Sequence, residues 1–398
     1  MFVSYFRLSC FFLFASLCSA LSLCAAQTDD VLCRGGNGKF DTDFHREAVH
    51  VGATKSGGLA TRTCEAVLIS AGQEVTVASG AWEVDLDAFG VDLGMGVPVA
   101  AFQVKKSETD CCGTYLIYSL QKPRRLLRTL TGGSSFRAVD VDLDTRVEIW
   151  TDDAAALDGF ESLTFSEPDF LPPVVLRFER GQLLDVGAEF QTYFDQLIAK
   201  LKGRIDARDL KDFKNSDGKL GPGATLPPEI RYRLHKVKTG IVEIVWAYMN
   251  SGREREAWAA LLDMWPEADV ERIRGALVKA RERGVHAQAD GAETTAPKKK
   301  RATIYDITMS EGDESDVTGP RPILLLRPPP RALEQNPTAG EVTVDLIIDA
   351  AGKVHSAGSA KSIDADLIEA ATGWKFIPAQ RGGHAVACRT HMAVSLRR

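Results

Sequence analysis

The chain has 398 residues, 48 Lys plus Arg against 54 Asp plus Glu, and a formal net charge of −6 at pH 7. That balance lacks the basic footprint of a nucleic-acid binder, so no nucleic acid is expected as a partner. With 44% hydrophobic residues the chain can bury sizeable cores, and its length calls for two or three domains.

Residues 1–26 carry one charge, Arg7, then an apolar run over 8–23 and the small residues Cys24-Ala25-Ala26. This is the composition of a secretory signal peptide cleaved after Ala26. The competing reading is an uncleaved anchor, because residues 8–26 are just long enough to cross a hydrocarbon core of roughly 30 Å. Of eight cysteines, those outside this leader are Cys33, Cys64, Cys111, Cys112 and Cys388. In an oxidising compartment Cys33 and Cys64 are candidates for a disulfide closing a loop of about 30 residues, worth about 3 kcal/mol. Cys111 and Cys112 are adjacent in a polar loop, where a vicinal disulfide is an uncommon option. No Cys-x-x-Cys spacing supports zinc or thiol-redox chemistry.

Residues 27–189 are rich in Val, Thr and aromatics, broken at short intervals by Gly, Pro and Asp, which predicts a β-rich domain. Strands are expected over 74–78, 99–105, 115–120, 146–151 and 174–178. Asp140-x-Asp142-x-Asp144, with Glu148 and Asp152-Asp153 beyond, is similar to the aspartate-rich loops of calcium-binding β-repeat modules. It makes Asp140, Asp142, Asp144 and Asp152 candidate calcium ligands. Thr145 and Arg146 stand where such loops carry glycine and its neighbour, and the other reading is a strand edge of solvated aspartates. Val84-Asp85-Leu86-Asp87 is a shorter acidic echo of the same pattern.

Residues 190–286 change to helical periodicity: Ile230, Leu234, Val237, Ile241, Ile244, Val245 and Tyr248 share one face, and two further helices are expected over 255–264 and 269–283. Tyr248, Gly252, Ala257 and Leu261 resemble the core spacing of one tetratricopeptide-type hairpin, although a generic helical hairpin has the same pattern. Residues 287–335 contain Lys298-Lys299-Lys300-Arg301, an acidic patch over 311–316 and much of a proline-dense stretch. They read as a charged, proline-rich linker without a core of its own.

The last segment, 336–398, carries the functional argument. Val342, Val344, Leu346 and Ile348 alternate with Thr343, Asp345 and Asp349, the period-two pattern of a half-buried strand whose polar face includes Asp349. Ala350-Ala351-Gly352-Lys353 forms a turn, and Val354 opens a second strand. Asp364 can cap a helix whose stripe is Leu367, Ile368, Ala371 and Trp374. After Gly382-Gly383, Val386, Cys388, Thr390, Met392, Val394 and Leu396 alternate with Ala387, Arg389, His391 and Ser395 in a closing strand. Its apolar face holds Cys388, read as a buried thiol.

The order of these pieces resembles the C-terminal domain of the TonB energy transducers. The resemblance rests on Ile348-Asp349-Ala350-Ala351-Gly352-Lys353-Val354, on Trp374-x-Phe376-x-Pro378-Ala379, and on the Gly-Gly-x-x-Val step into the last strand. The Tyr-Pro pair that often precedes the family's first strand is absent. Taken together the segments predict a multidomain α+β protein, with an N-terminal all-β domain, a helical middle and a small C-terminal α+β domain, and cleavage of the leader would place it in the periplasm. The resemblance implies that the terminal domain docks to outer-membrane transporters or other envelope proteins. It implies an inner-membrane proton-channel complex as a further partner if the leader stays uncleaved as an inner-membrane anchor. Docking by strand addition would place Ala387, Arg389 and His391 beside the partner.

The seven histidines are scattered without His-Glu-x-x-His spacing, and no Gly-x-Ser-x-Gly elbow, phosphate-binding loop or Ser-x-x-Lys appears. A non-enzymatic protein is expected. The alternative function is a secreted calcium-binding β protein whose terminal domain serves self-association.

Overall fold

The computed structural model describes residues 31–395 except 45–46, 55–61, 71–72, 163–170, 221–226, 293–302, 310–315, 327–340 and 359–364. The leader, the basic run, most of the acidic patch, most of the proline-dense stretch and Asp364 therefore lie outside the described residues. Within them the protein is mixed α+β. No described helix is long and apolar enough to cross a membrane.

The first half is built from antiparallel sheets. Lys39–Phe44, Glu47–Ala53, Cys64–Ser70 and Gln73–Ala81 form a meander of four strands. Cys33–Arg34, Glu83–Val91, Val99–Lys105, Thr114–Ser119 and Leu126–Thr131 form a second sheet. Cys64–Ser70 alternates buried and half-buried residues as a one-sided strand does. Glu83–Val91 is buried on both faces except at Glu83, including Asp85 and Asp87. Cys33 and Cys64 are disulfide-bonded, tying the two sheets together, and Cys111 is bonded to Cys112.

A third sheet contains Arg137–Val139, Glu148–Asp152, Pro173–Glu179 and Gln182–Asp185, and Gly291–Ala292 adds to it in parallel. The helices pack against this sheet. Pro228–Asn250 starts with proline at its first turn, where the missing N–H costs nothing. Its Leu234, Val237, Ile241, Ile244 and Val245 enter one core with Phe194, Leu261 and Ile273. Polar ties fix the docking: Trp246 Nε1 donates to Asp153 Oδ2 at 2.9 Å, and Asn250 Nδ2 donates to the Pro173 carbonyl at 3.0 Å. Gly252 closes the turn into Glu254–Met264 at φ +72°, and Ala257 is fully buried beside it.

The terminal sheet runs in the order Ile304–Asp306, Ala387–Ser395, Glu341–Ile348, Val354–Gly358. Helix Ala365–Thr372 covers it with Leu367 and Ala371, and Trp374 follows the helix into the same core. Three short strands of the segment read as linker belong to this part of the molecule. Ile304–Asp306 pairs with the last strand, Val317–Thr318 with Gln380–Arg381, and Arg321–Leu324 with Lys375–Ile377. Ile307 and Ile323 are core residues. Charge and proline content hid them: Ile304 and Ile307 stand among polar residues, and the short apolar run Ile323-Leu324-Leu325-Leu326 is flanked by prolines and shows no alternation.

Candidate docking edge and the buried ionic seam

The turn after Glu341–Ile348 is organised by its first residue. Asp349 Oδ1 accepts the N–H groups of Ala351 and Lys353 at 2.9 and 2.8 Å. Gly352 takes φ +81°, and a Cβ there would stand 1.9 Å from the Phe376 carbonyl oxygen. Asp349, read from alternation as outward-facing, is fully buried. Its Oδ2 accepts the N–H of Asp140 at 2.9 Å, so the terminal turn is fastened to the aspartate loop of the β region.

Around that turn runs a seam of buried charges joining the terminal part to strand Glu83–Val91. Lys353 Nζ lies 2.9 Å from Asp87 Oδ1, and both side chains are 2% exposed. Lys375 pairs with Asp85 beside it. Asp87 Oδ2 also accepts from the Tyr115 hydroxyl at 2.6 Å and from the Ala138 N–H at 2.8 Å. Burial opposes ionisation of Asp87, but Lys353, Lys375 and the Tyr115 bond outweigh it and hold the carboxyl below its usual range. At Asp85 burial prevails over Lys375 and the carboxyl is raised. Gln380 Nε2 donates to the Gly90 carbonyl at 3.2 Å along the same seam. Ile323 and Ile377 complete the apolar core of the first two sheets, and Ala351 enters the core below them.

The candidate metal ligands divide. Oxygens of Asp140, Asp142 and Asp144 lie within 4.8 Å of one another, close enough to share one hard cation. Asp152 is elsewhere, accepting from the Ser134 and Ala154 N–H groups at 2.9 and 3.0 Å. The loop satisfies much of its own charge. Asp140 accepts from the N–H groups of Asp144 and Thr145, and Asp144 holds Arg146 at 2.7 Å. Thr145 makes the turn without glycine by taking φ +71°. Burial first, and neighbouring carboxylates after it, push Asp140 up to about 7 and Glu148 up to about 8, despite the loop's N–H donors and, at Glu148, Arg177. Burial likewise pushes Asp349 up to about 6.

The three residues expected to flank a partner are placed differently from one another. Ala387 is fully buried and paired in register with Ile304, so it is not an outward position. Arg389 and His391 are exposed, and His391 Nδ1 meets Asp345 Oδ1 at 2.6 Å across the strand pair. Ile304–Asp306 covers the outer edge of the last strand only over 387–389. From 390 to 395 that edge has no paired strand among the described residues. The Arg389 carbonyl accepts the Ile307 N–H at 3.1 Å, so Arg389 turns its backbone polar groups outward. Strand alternation then turns those of His391 and Ala393 the same way, onto open edge.

No family model, curated protein or solved structure matches this chain. The seam is not legible in the sequence. Asp85 and Asp87 were visible as an acidic echo, and Lys353 as a turn residue. Their sequence separation of 266 residues between Lys353 and Asp87 left nothing to connect them.

Proposed function

We propose that this is a non-enzymatic cell-envelope protein whose C-terminal part docks to outer-membrane transporters by accepting an extended peptide along its last strand. The observation that carries this reading is the backbone edge over 390–395, with which no strand among the described residues pairs, next to a stretch of the same edge that already holds a strand in parallel. An exposed strand edge offers a row of N–H and C=O groups, and peptide strands add to such rows. Arg389 and His391 would then lie beside the partner. The sequence resemblance supplies the transporter as partner, and the leader supplies export to the periplasm. The Cys33–Cys64 bond fits an oxidising compartment.

Force transmission is a stronger claim, since it needs residues 1–26 to persist as an inner-membrane anchor and engage a proton channel. The seam argues for docking before pulling: a terminal sheet fastened through Asp85, Asp87 and Asp140 is an adaptor face on a larger body. The calcium reading has the spacing of Asp140, Asp142 and Asp144 in its favour. Arg146 stands against it, supplying Asp144 with the positive charge that an ion would bring.

Retrieval of outer-membrane proteins by the full chain and by Ala393→Pro tests the reading. Proline removes one outward N–H at an edge position, where the strand tolerates it. Loss of retrieval by a folded variant supports strand addition, and undiminished retrieval removes it.

A further inference from the structure

Residues 303–309 sit on the terminal sheet as a foreign peptide would. Ile304, Tyr305 and Asp306 pair in parallel with Ala387, Cys388 and Arg389 at the sheet's edge. Each following position has its own receptor. The Arg381 guanidinium lies 4.8 Å from the centre of the Tyr305 ring. The Asp306 carboxylate lies 3.7 Å from the Arg389 guanidinium, with both side chains well exposed. Ile307 is 4% exposed and enters the core formed by Val344, Leu346 and Val386.

A three-residue parallel pairing is a weak attachment for a sheet edge, since parallel ladders are slightly less stable per residue than antiparallel ones. What holds this one is the side-chain pattern: aromatic on Arg381, acid on Arg389, aliphatic in the core. The edge thus states the chemistry of what it accepts. We propose that residues 304–307 are a resident mimic of the partner peptide, and that the partner is an extended segment with an aromatic, an acidic and an aliphatic residue in succession, which docks by displacing them. This rests on the docking reading above and adds to it the sequence class of the partner and a competition built into the chain.

The probe is a fluorescein-labelled peptide of residues 303–309, titrated into the full-length protein while anisotropy is read. The wild-type chain should bind it weakly, because the part of the edge over 387–389, beside which Arg381 and Arg389 lie, is occupied in cis. Two variants loosen the resident strand: Ile307→Asp, which removes the buried anchor, and the doubly substituted Tyr305→Ala, Asp306→Ala, which changes only partly or fully exposed positions. Each should bind the peptide about tenfold more tightly or better, the fold-change that corresponds to about 1.4 kcal/mol of competition removed. A peptide carrying Asp306→Arg should lose that affinity and regain it on a doubly substituted chain that adds Arg389→Asp to Ile307→Asp.

Equal affinity of wild type and of the Tyr305→Ala, Asp306→Ala chain, with an unchanged melting curve, overturns the proposal. If in that case Ala393→Pro still abolishes transporter retrieval, strand docking stands and only the resident competitor is lost. If Ala393→Pro changes nothing, the docking reading fails and takes this inference with it.

Discussion

Asp349 is a fully buried carboxylate at the end of strand Glu341–Ile348. Alternation puts it on the solvent face, yet its carboxylate organises the turn and receives the Asp140 N–H from the β region. Sequence gives the period of a strand but not what later covers its far end. The neighbouring carboxyls carry a pH consequence. Burial, their largest influence, raises Asp140, Glu148 and Asp349 from ordinary values of 3.8, 4.5 and 3.8 to about 7, 8 and 6. A folded chain that keeps protons the unfolded chain has released is most favoured at low pH. It loses that advantage as pH rises through the folded values. Asp87 works the other way, since its lowered value withdraws stability only as pH falls toward the strongly acid range. The melting temperature should therefore decline between about pH 5 and about pH 8, and Glu148→Gln should make that decline shallower. A melting temperature that rises over this window contradicts the assignment.

Elements were the most legible level. The strand expected over 99–105 is the observed Val99–Lys105, and the stripe of Pro228–Asn250 is the buried face of that helix. Val84-Asp85-Leu86-Asp87 in Glu83–Val91 has a strand's alternation, but alternation assigns its aspartates to solvent. Those two positions face the lysines of the terminal part rather than water. The turn at Gly352 was legible for a local reason: positive φ and close backbone approach both demand glycine. Gly352→Ala should destabilise the protein by about 1–3 kcal/mol, from the strained backbone and the contact with the Phe376 carbonyl. Denaturant titration reads this directly, and an unchanged midpoint would show that the turn relaxes freely.

At the scale of the whole molecule the composition of residues 287–335 reads as a charged, proline-rich linker before the terminal segment. The described part of that segment instead contributes strands, Ile307 and Ile323 to sheets and cores, and the terminal sheet is locked to the β region by Lys353–Asp87 and Lys375–Asp85. Composition records the average polarity of a stretch and passes over the few apolar residues that anchor it. Because both members of the Lys353–Asp87 pair are buried, Lys353→Met takes the directly paired cation from Asp87, leaving it Lys375, the Tyr115 hydroxyl and the Ala138 N–H, and should cost about 3 kcal/mol. Combining it with Asp87→Asn should recover part of that loss. A cost within experimental error for Lys353→Met would mean that the terminal part is not held by the seam.

Docking through the last strand stands or falls on one backbone N–H. Full-length protein and its Ala393→Pro variant, matched for melting temperature, are passed over purified outer membranes and bound transporter is quantified. The predicted result is a loss of at least about tenfold in retention for the variant, with Ala393→Ser indistinguishable from wild type. Equal retention by the proline variant would contradict strand addition at this edge.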